Sequence, residues 1–312
     1  MRYRTLGLFG VLAVVWGSAF MAIKAGLDLG FPPVLFAALR YDIAGVFMLG
    51  YAWYVLEDPI PRGRAQWVQI AIGSVFLIAI YHALLFIGEQ DPAVTSATAA
   101  IVVSLNPVLT TGCARVLLPD ERLSPIGWLG MLLGLVGVIV LTDPDPSNLL
   151  ASDVIATGLI FVATLSFSFG SVLTQRSDTG LPIESMEAYS MVGGALLMHG
   201  LSLLLGESMQ SIAHPGEALL ALGYLSIFSS AIGFLIYFEL LERLGPIEIN
   251  LVSYTAPPVA AISGFLVLGE RITLQGVLGF SIVLIGFVLL KRTALRNAIS
   301  DVRSTSHPPA DD

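Results

Sequence analysis

Apolar residues in this chain come in runs of about twenty, separated by short breaks rich in turn formers and charges. A helix of that length covers the roughly 30 Å hydrocarbon core of a bilayer. The pattern predicts ten spans, near 5–26, 33–55, 66–88, 94–117, 125–142, 154–174, 182–205, 218–241, 248–268 and 274–291. The breaks between them read FPP, EDPIPRGR, EQDPA, PDERLSP, DPDPSNLLASD, QRSDTGLP, GESMQSIAHPGE, ERLGP and GERIT. Residues 293–312 are polar, include Pro308 and Pro309, and are predicted to form a disordered tail.

Composition agrees. Hydrophobic residues make up 55% of the chain and charged residues 12%, about half the roughly 25% usual in soluble domains. The fold class is therefore an all-α polytopic membrane protein, with the lipid bilayer as solvent. The first apolar run has no small-residue cleavage site after a short core and is followed by further runs, so it reads as a retained span rather than a signal peptide. The single Cys113 excludes an intramolecular disulfide and a multi-cysteine metal site. A net charge of −8 argues against a nucleic-acid partner. There is no HExxH, GxSxG, phosphate loop or Cys/His ligand cluster, so no catalytic residue, metal or cofactor is expected.

Cytoplasmic loops collect Lys and Arg. With a cytoplasmic N-terminus, Arg2, Arg4, Arg62, Arg64, Arg122, Arg176, Arg243, Lys291, Arg292, Arg296 and Arg303 fall inside, and only Lys24 and Arg271 fall outside. Eleven against two predicts both termini in the cytoplasm.

The chain also repeats itself at an offset of 149 residues. Pro33-Val34 matches Pro182-Ile183, Gly45 matches Gly194, Val103-Ser104 matches Val252-Ser253, and Glu121-Arg122 matches Glu270-Arg271. Gly127, Gly130 and Gly137 match Gly276, Gly279 and Gly286. Two repeats follow, 1–150 and 151–292, of five spans each. Because five is odd, the repeats enter the membrane in opposite directions, an arrangement common in secondary transporters.

This repeat gives meaning to the prolines in VSLNPVLTT and VSYTAPPVAA. Pro107 precedes Glu121 by 14 residues and Pro257 precedes Glu270 by 13. At 1.5 Å per residue each lies roughly 20 Å from its helix end, near mid-bilayer. Pro107, Pro257 and Pro258 are thus expected to break the fourth and ninth spans, and freed backbone groups are tolerated there only inside protein or facing water. Polar neighbours Ser104, Asn106, Ser253, Tyr254 and Thr255 suit a central cavity. Kinks that serve only packing are the alternative.

Other residues have two readings each. Arg40, about eight residues into its span, either orients an anionic substrate group, or snorkels or pairs with a carboxylate near the outer membrane face. His82 either packs with its nitrogens satisfied or carries protons. Trp16 and Ser18 in WGSAF form a cavity wall or ordinary core, and Tyr189 supplies wall area. Glu187 and Glu239 read as solvated near the interface, or as proton-exchanging groups if buried. The glycine rows GWLGMLLGLVG and GVLGFSIVLIG read as scaffolding or a dimer contact.

Together WGSAF, Arg40, VSLNPV…DERLSPIGWLG and APPVAAISGFLVLGERITLQGVLGFSIVLIG resemble the EamA-type family of the drug/metabolite transporter superfamily, over residues 5–292. That resemblance implies an inner-membrane carrier working by alternating access on small amphipathic metabolites such as amino acids, in the export direction and with proton coupling in many relatives. The readings set against it are a membrane-embedded enzyme, a lipid-handling protein and a passive facilitator of the same fold.

Overall fold

The computed structural model describes residues 2–117, 124–177, 179–212, 214–244, 249 and 251–305. Helices account for all the regular structure among them. In chain order these are α1 (Arg2–Asp28), α2 (Pro33–Val55), α3 (Gly63–Glu89), α4 (Ser96–Val103), α5 (Asn106–Leu117), α6 (Pro125–Thr142), α7 (Ser152–Arg176), α8 (Ile183–Leu205), α9 (Pro215–Leu244), α10 (Val252–Leu268) and α11 (Leu274–Thr305). Taking α4 and α5 as one span, eight helices are long and apolar enough to cross a membrane, and Val252–Leu268 and Leu274–Leu290 are shorter apolar helices.

Local chemistry sets several boundaries. Thr95 caps α4 by accepting from the Thr98 amide, and Ser124 caps α6 by accepting from Gly127, with Pro125 at the first helical position. Gly206 closes α8 at φ 69°, a left-handed conformation that glycine adopts without steric cost.

The prolines act differently in the two halves. In the first, the helix stops at Val103, turns through Ser104 and Leu105, and restarts at Asn106, leaving Pro107 in the first turn, where its missing N–H would be unsatisfied anyway. In the second, Pro257 and Pro258 lie inside the continuous helix Val252–Ser263 and do not interrupt it. The expected break is corrected here. The two rings remove only the i+4 donors of the Ser253 and Tyr254 carbonyls. Helix α1 supports this turn: a Cβ on Gly17 would lie 2.9 Å from the Ala256 carbonyl oxygen, so only glycine lets α1 come so close. Another irregularity is repeated. Helix α3 is π-helical over Gly73–Ile80 and α9 over Tyr224–Ile232, matching stretches of the two halves.

Helices α6 and α11 form the most extensive pair, and α2 and α8 form another extensive one. In both cases the two helices are equivalents across the 149-residue offset. A Cβ on Gly286 would lie 2.5 Å from the Gly130 carbonyl oxygen, and one on Gly279 would lie 2.7 Å from that of Gly137. Position 130 meets 286 and 137 meets 279, so these equivalent helices run antiparallel. Helices α2 and α8 do likewise. Gly45 abuts Val192, and His199 Nε2 donates to Asp42 Oδ2 at 2.7 Å, three residues back along α2 and seven on along α8. The glycine rows form an internal scaffold, as close backbone approach requires.

Two further expectations meet the structure here. Helix α11 continues through Thr305, so the supposed disordered tail is helical that far; KRTALRNAISDVRST is rich in good helix formers. Glu121 and Arg122, half of the matched Glu-Arg pairs, lie outside the described residues, as do 306–312.

Candidate functional site

A cavity of about 190 Å³ opens among α1, α2, α3, the α4–α5 break, α7, α8, α9 and α10. Helices α6 and α11 take no part in its lining. Part of the polar lining comes from irregular segments. The α4–α5 break presents Asn106, the proline-bearing start of α10 presents Ser253, and the π-helical stretch of α9 presents Ser229.

Arg40 is the cavity's cation. It is 6% exposed, its Nε donates to Ser230 Oγ at 2.9 Å and an Nη to Ser229 Oγ at 3.3 Å, and its guanidinium lies 5.2 Å from the centre of the Tyr41 ring. Among the described residues no carboxylate comes within ion-pair distance of it. Asp42, two positions on, points elsewhere and pairs with His199. Serine hydroxyls and a ring face are neutral partners, so among the described residues no carboxylate pairs directly with the charge.

His82 lines the cavity, and both of its nitrogens are engaged: Nδ1 donates to the Ile78 carbonyl at 3.0 Å, which leaves Nε2 to accept from the Tyr41 hydroxyl at 2.7 Å. This fixes the neutral tautomer of a packing histidine. Asn106 Oδ1 accepts from Ser168 Oγ at 2.8 Å and Thr110 Oγ1 at 3.1 Å, and its amide N–H₂ has no partner among the described residues. Trp16 forms wall, tied by Nε1 to the Ser229 carbonyl at 3.1 Å and packed edge-on against Phe234 and at a tilt against Tyr237.

Trp16, Arg40, His82, Asn106 and Ser253 are thus brought together, and the other five candidates are not. Ser18 faces α9, with Tyr224 hydroxyl at 2.6 Å. The hydroxyls of Ser104 and Thr255 turn back onto their own helices, onto Ile101 and Val252. Tyr254 stacks on Phe287 with ring centres 4.0 Å apart, and Tyr189 packs edge-on against Trp67.

Sequence reasoning passed over Glu187, Tyr41, Tyr81, Thr164 and Phe167, all of which line the cavity. Glu187 is half-buried with its open side toward that space. It stands two residues before Tyr189, and such residues lie on opposite helix faces, so choosing Tyr189 chose the wrong face. Glu239, by contrast, is held by Arg4 at 2.8 Å and Arg243 at 2.6 Å. Among the described residues no cluster of His, Cys, Asp or Glu could hold a metal.

The profile of the family described as "EamA-like transporter family" matches residues 5–143 and again 154–292. The second match starts and ends 149 residues after the first, the spacing of the internal repeat. The chain belongs to the EamA-like transporter family. Similar relatives include the "Uncharacterized inner membrane transporter YedA" of Escherichia coli K12, 28% identical over 91% of this chain and 92% of that one. An "Uncharacterized transporter" of Archaeoglobus fulgidus is 26% identical over 89% and 95%. A solved crystal structure aligns with a TM-score of 0.64 over 94% of this chain and 99% of the other, at 22% identity, a likeness of fold. As a member of the EamA-like family the chain is a multi-pass membrane transporter, and its central cavity is the candidate path of the cargo.

Proposed function

We propose that this transporter carries small amphipathic metabolites bearing an anionic group, such as amino acids and related compounds, by alternating access through the central cavity. The observation that carries the reading is Arg40, buried in the wall of a mostly apolar cavity with no carboxylate within ion-pair distance among the described residues. A buried cation of this kind is stable when a substrate supplies the counter-charge. Glu187 in the same wall supplies a partner for an ammonium group, and Trp16, Phe167 and Phe234 enclose apolar bulk. Polar groups this few orient a ligand; the aromatic lining holds it.

The membrane arrangement completes the proposal. Antiparallel packing of equivalent helices supports inverted repeats, with α10 and α11 as ninth and tenth spans. The Arg distribution supports cytoplasmic termini in the inner membrane. Rocking one set of helices against the other exposes the cavity to each side in turn. Export, coupled to protons, is the direction that the family resemblance implies.

A thermal-shift screen of purified protein tests the substrate class, since a ligand of the folded state stabilises it according to occupancy. Carboxylate-bearing metabolites are expected to raise the Tm, and their neutral amides are not. Equal shifts with acid and amide would remove the role given to Arg40.

A further inference from the structure

Away from the cavity lining, at the far end of α3, stands a carboxylate that the substrate path does not use. Glu89 is 0% exposed, and among the described residues neither of its carboxyl oxygens has a hydrogen-bond partner. The nearest cation ignores it. Lys24 of α1, itself 6% exposed, donates from Nζ to the main-chain carbonyls of Glu89 at 3.0 Å and Asp91 at 2.8 Å, with Asp28 3.9 Å away. Beyond it, Glu270 at the end of α10 is spent on α4, accepting from the Ser96 amide at 2.9 Å and its hydroxyl at 3.0 Å. Helix α3 has no freedom to move the group aside, because a Cβ on Gly88 would lie 2.7 Å from the Ala156 carbonyl of α7.

An ionised carboxylate buried without donors costs several kcal/mol, and the side chain escapes that cost by binding a proton. The charged and titratable groups around Glu89 are Lys24, Arg40, Glu270 and Tyr81. Asp28 and Asp91 add negative charge at the same end. What decides is geometry, since Lys24 has turned its donors to the backbone.

We propose that Glu89 is a proton-binding site that gates this end of the transporter, which faces outward in the topology given above. With the proton bound, Lys24 holds the ends of α1 and α3 together through the two carbonyls. When this end opens and water reaches Glu89, the proton leaves to bulk solvent. The Lys24 ammonium then leaves the carbonyls for the carboxylate, and the closed arrangement is released. The proposal rests on the transport reading for its purpose, but its site is testable without any cargo.

Infrared titration of the purified protein reads the proton directly. The wild type is expected to show a protonated-carboxyl C=O band that is lost in Glu89→Gln and kept in Glu270→Gln. A wild type without the band, or one whose band survives Glu89→Gln, overturns the site. Gating is read on Val94→Cys, a fully buried position beside this closure, in a Cys113→Ser background. Alkylation of the new cysteine is expected to quicken at least tenfold as pH rises through the titration of the band, and to stay slow at all pH with Glu89→Gln added. Labelling independent of pH while the band titrates overturns the gate. Failure to move any substrate, with band and labelling as expected, would count against the transport reading alone.

Discussion

Gly286 faces Gly130 so closely that a Cβ added to it would lie 2.5 Å from the Gly130 carbonyl oxygen. The obstacle is backbone, which cannot step aside. Overpacking of this kind costs about 1–3 kcal/mol. Gly286→Ala is therefore expected to lower the Tm of purified protein clearly. Gly200→Ala, where nothing lies within 4 Å, should be neutral or stabilising by up to about 1 kcal/mol, as alanine suits a helix better. Equal effects at the two positions would deny the close seam.

Arg40→Gln removes the cavity's cation while keeping a hydrogen-bonding side chain. A hydrogen bond to a charged group contributes about 1.5–3 kcal/mol, so transport kcat/KM should fall roughly ten- to hundred-fold. Arg40→Lys should recover little, because one ammonium cannot serve Ser229, Ser230 and a substrate as a planar fork does. Full activity in the lysine variant would show that charge alone matters.

Asp42 and His199 provide the contrasting case. Their 2.7 Å contact links α2 to α8, but the side chains are 41% and 33% exposed. Exposed pairs contribute at most about 1 kcal/mol. Asp42→Asn should shift the Tm slightly and leave transport kinetics unchanged, and a large kinetic loss there would move the functional acid away from Glu187.

Glu187→Gln separates zwitterions from simple acids. It should raise KM for substrates with an ammonium group several-fold and leave carboxylates without one unaffected. The same rise for both would show that Glu187 shapes the wall without meeting the ammonium.

His82→Ala leaves the Tyr41 hydroxyl without its partner, a loss of about 1–3 kcal/mol in stability. Since both ring nitrogens are already engaged, the ion dependence of transport should persist. Abolished proton dependence with retained substrate binding would contradict that.

Much of this was legible in the chain before any coordinates. Apolar runs gave the helices within a few residues, and the glycines repeated at 149 residues became the α6–α11 seam. Arg40 stood out because an unpaired charge inside an apolar run is expensive. Face, however, was not legible. Ser104 and Thr255 sit at the right depth, but their hydroxyls bond to their own helices. Glu187 and Tyr189 are two residues apart, and only packing against α2 and α3 decides which of them turns inward. The prolines misled in one half because a ring within a helix bends or breaks it according to what packs alongside, and Gly17 on α1 lies far away in sequence. Glu89 carried no signal, being one of two acids in the break EQDPA.

Reconstituted liposomes offer the most direct measurement. Uptake of a radiolabelled carboxylate-bearing metabolite, selected by its thermal shift, is compared between wild type and Arg40→Gln at equal protein density. The account predicts saturable uptake that the uncharged amide does not inhibit and that the variant largely loses. Equal uptake by the two proteins, or inhibition by the amide as strong as by the acid, would contradict it.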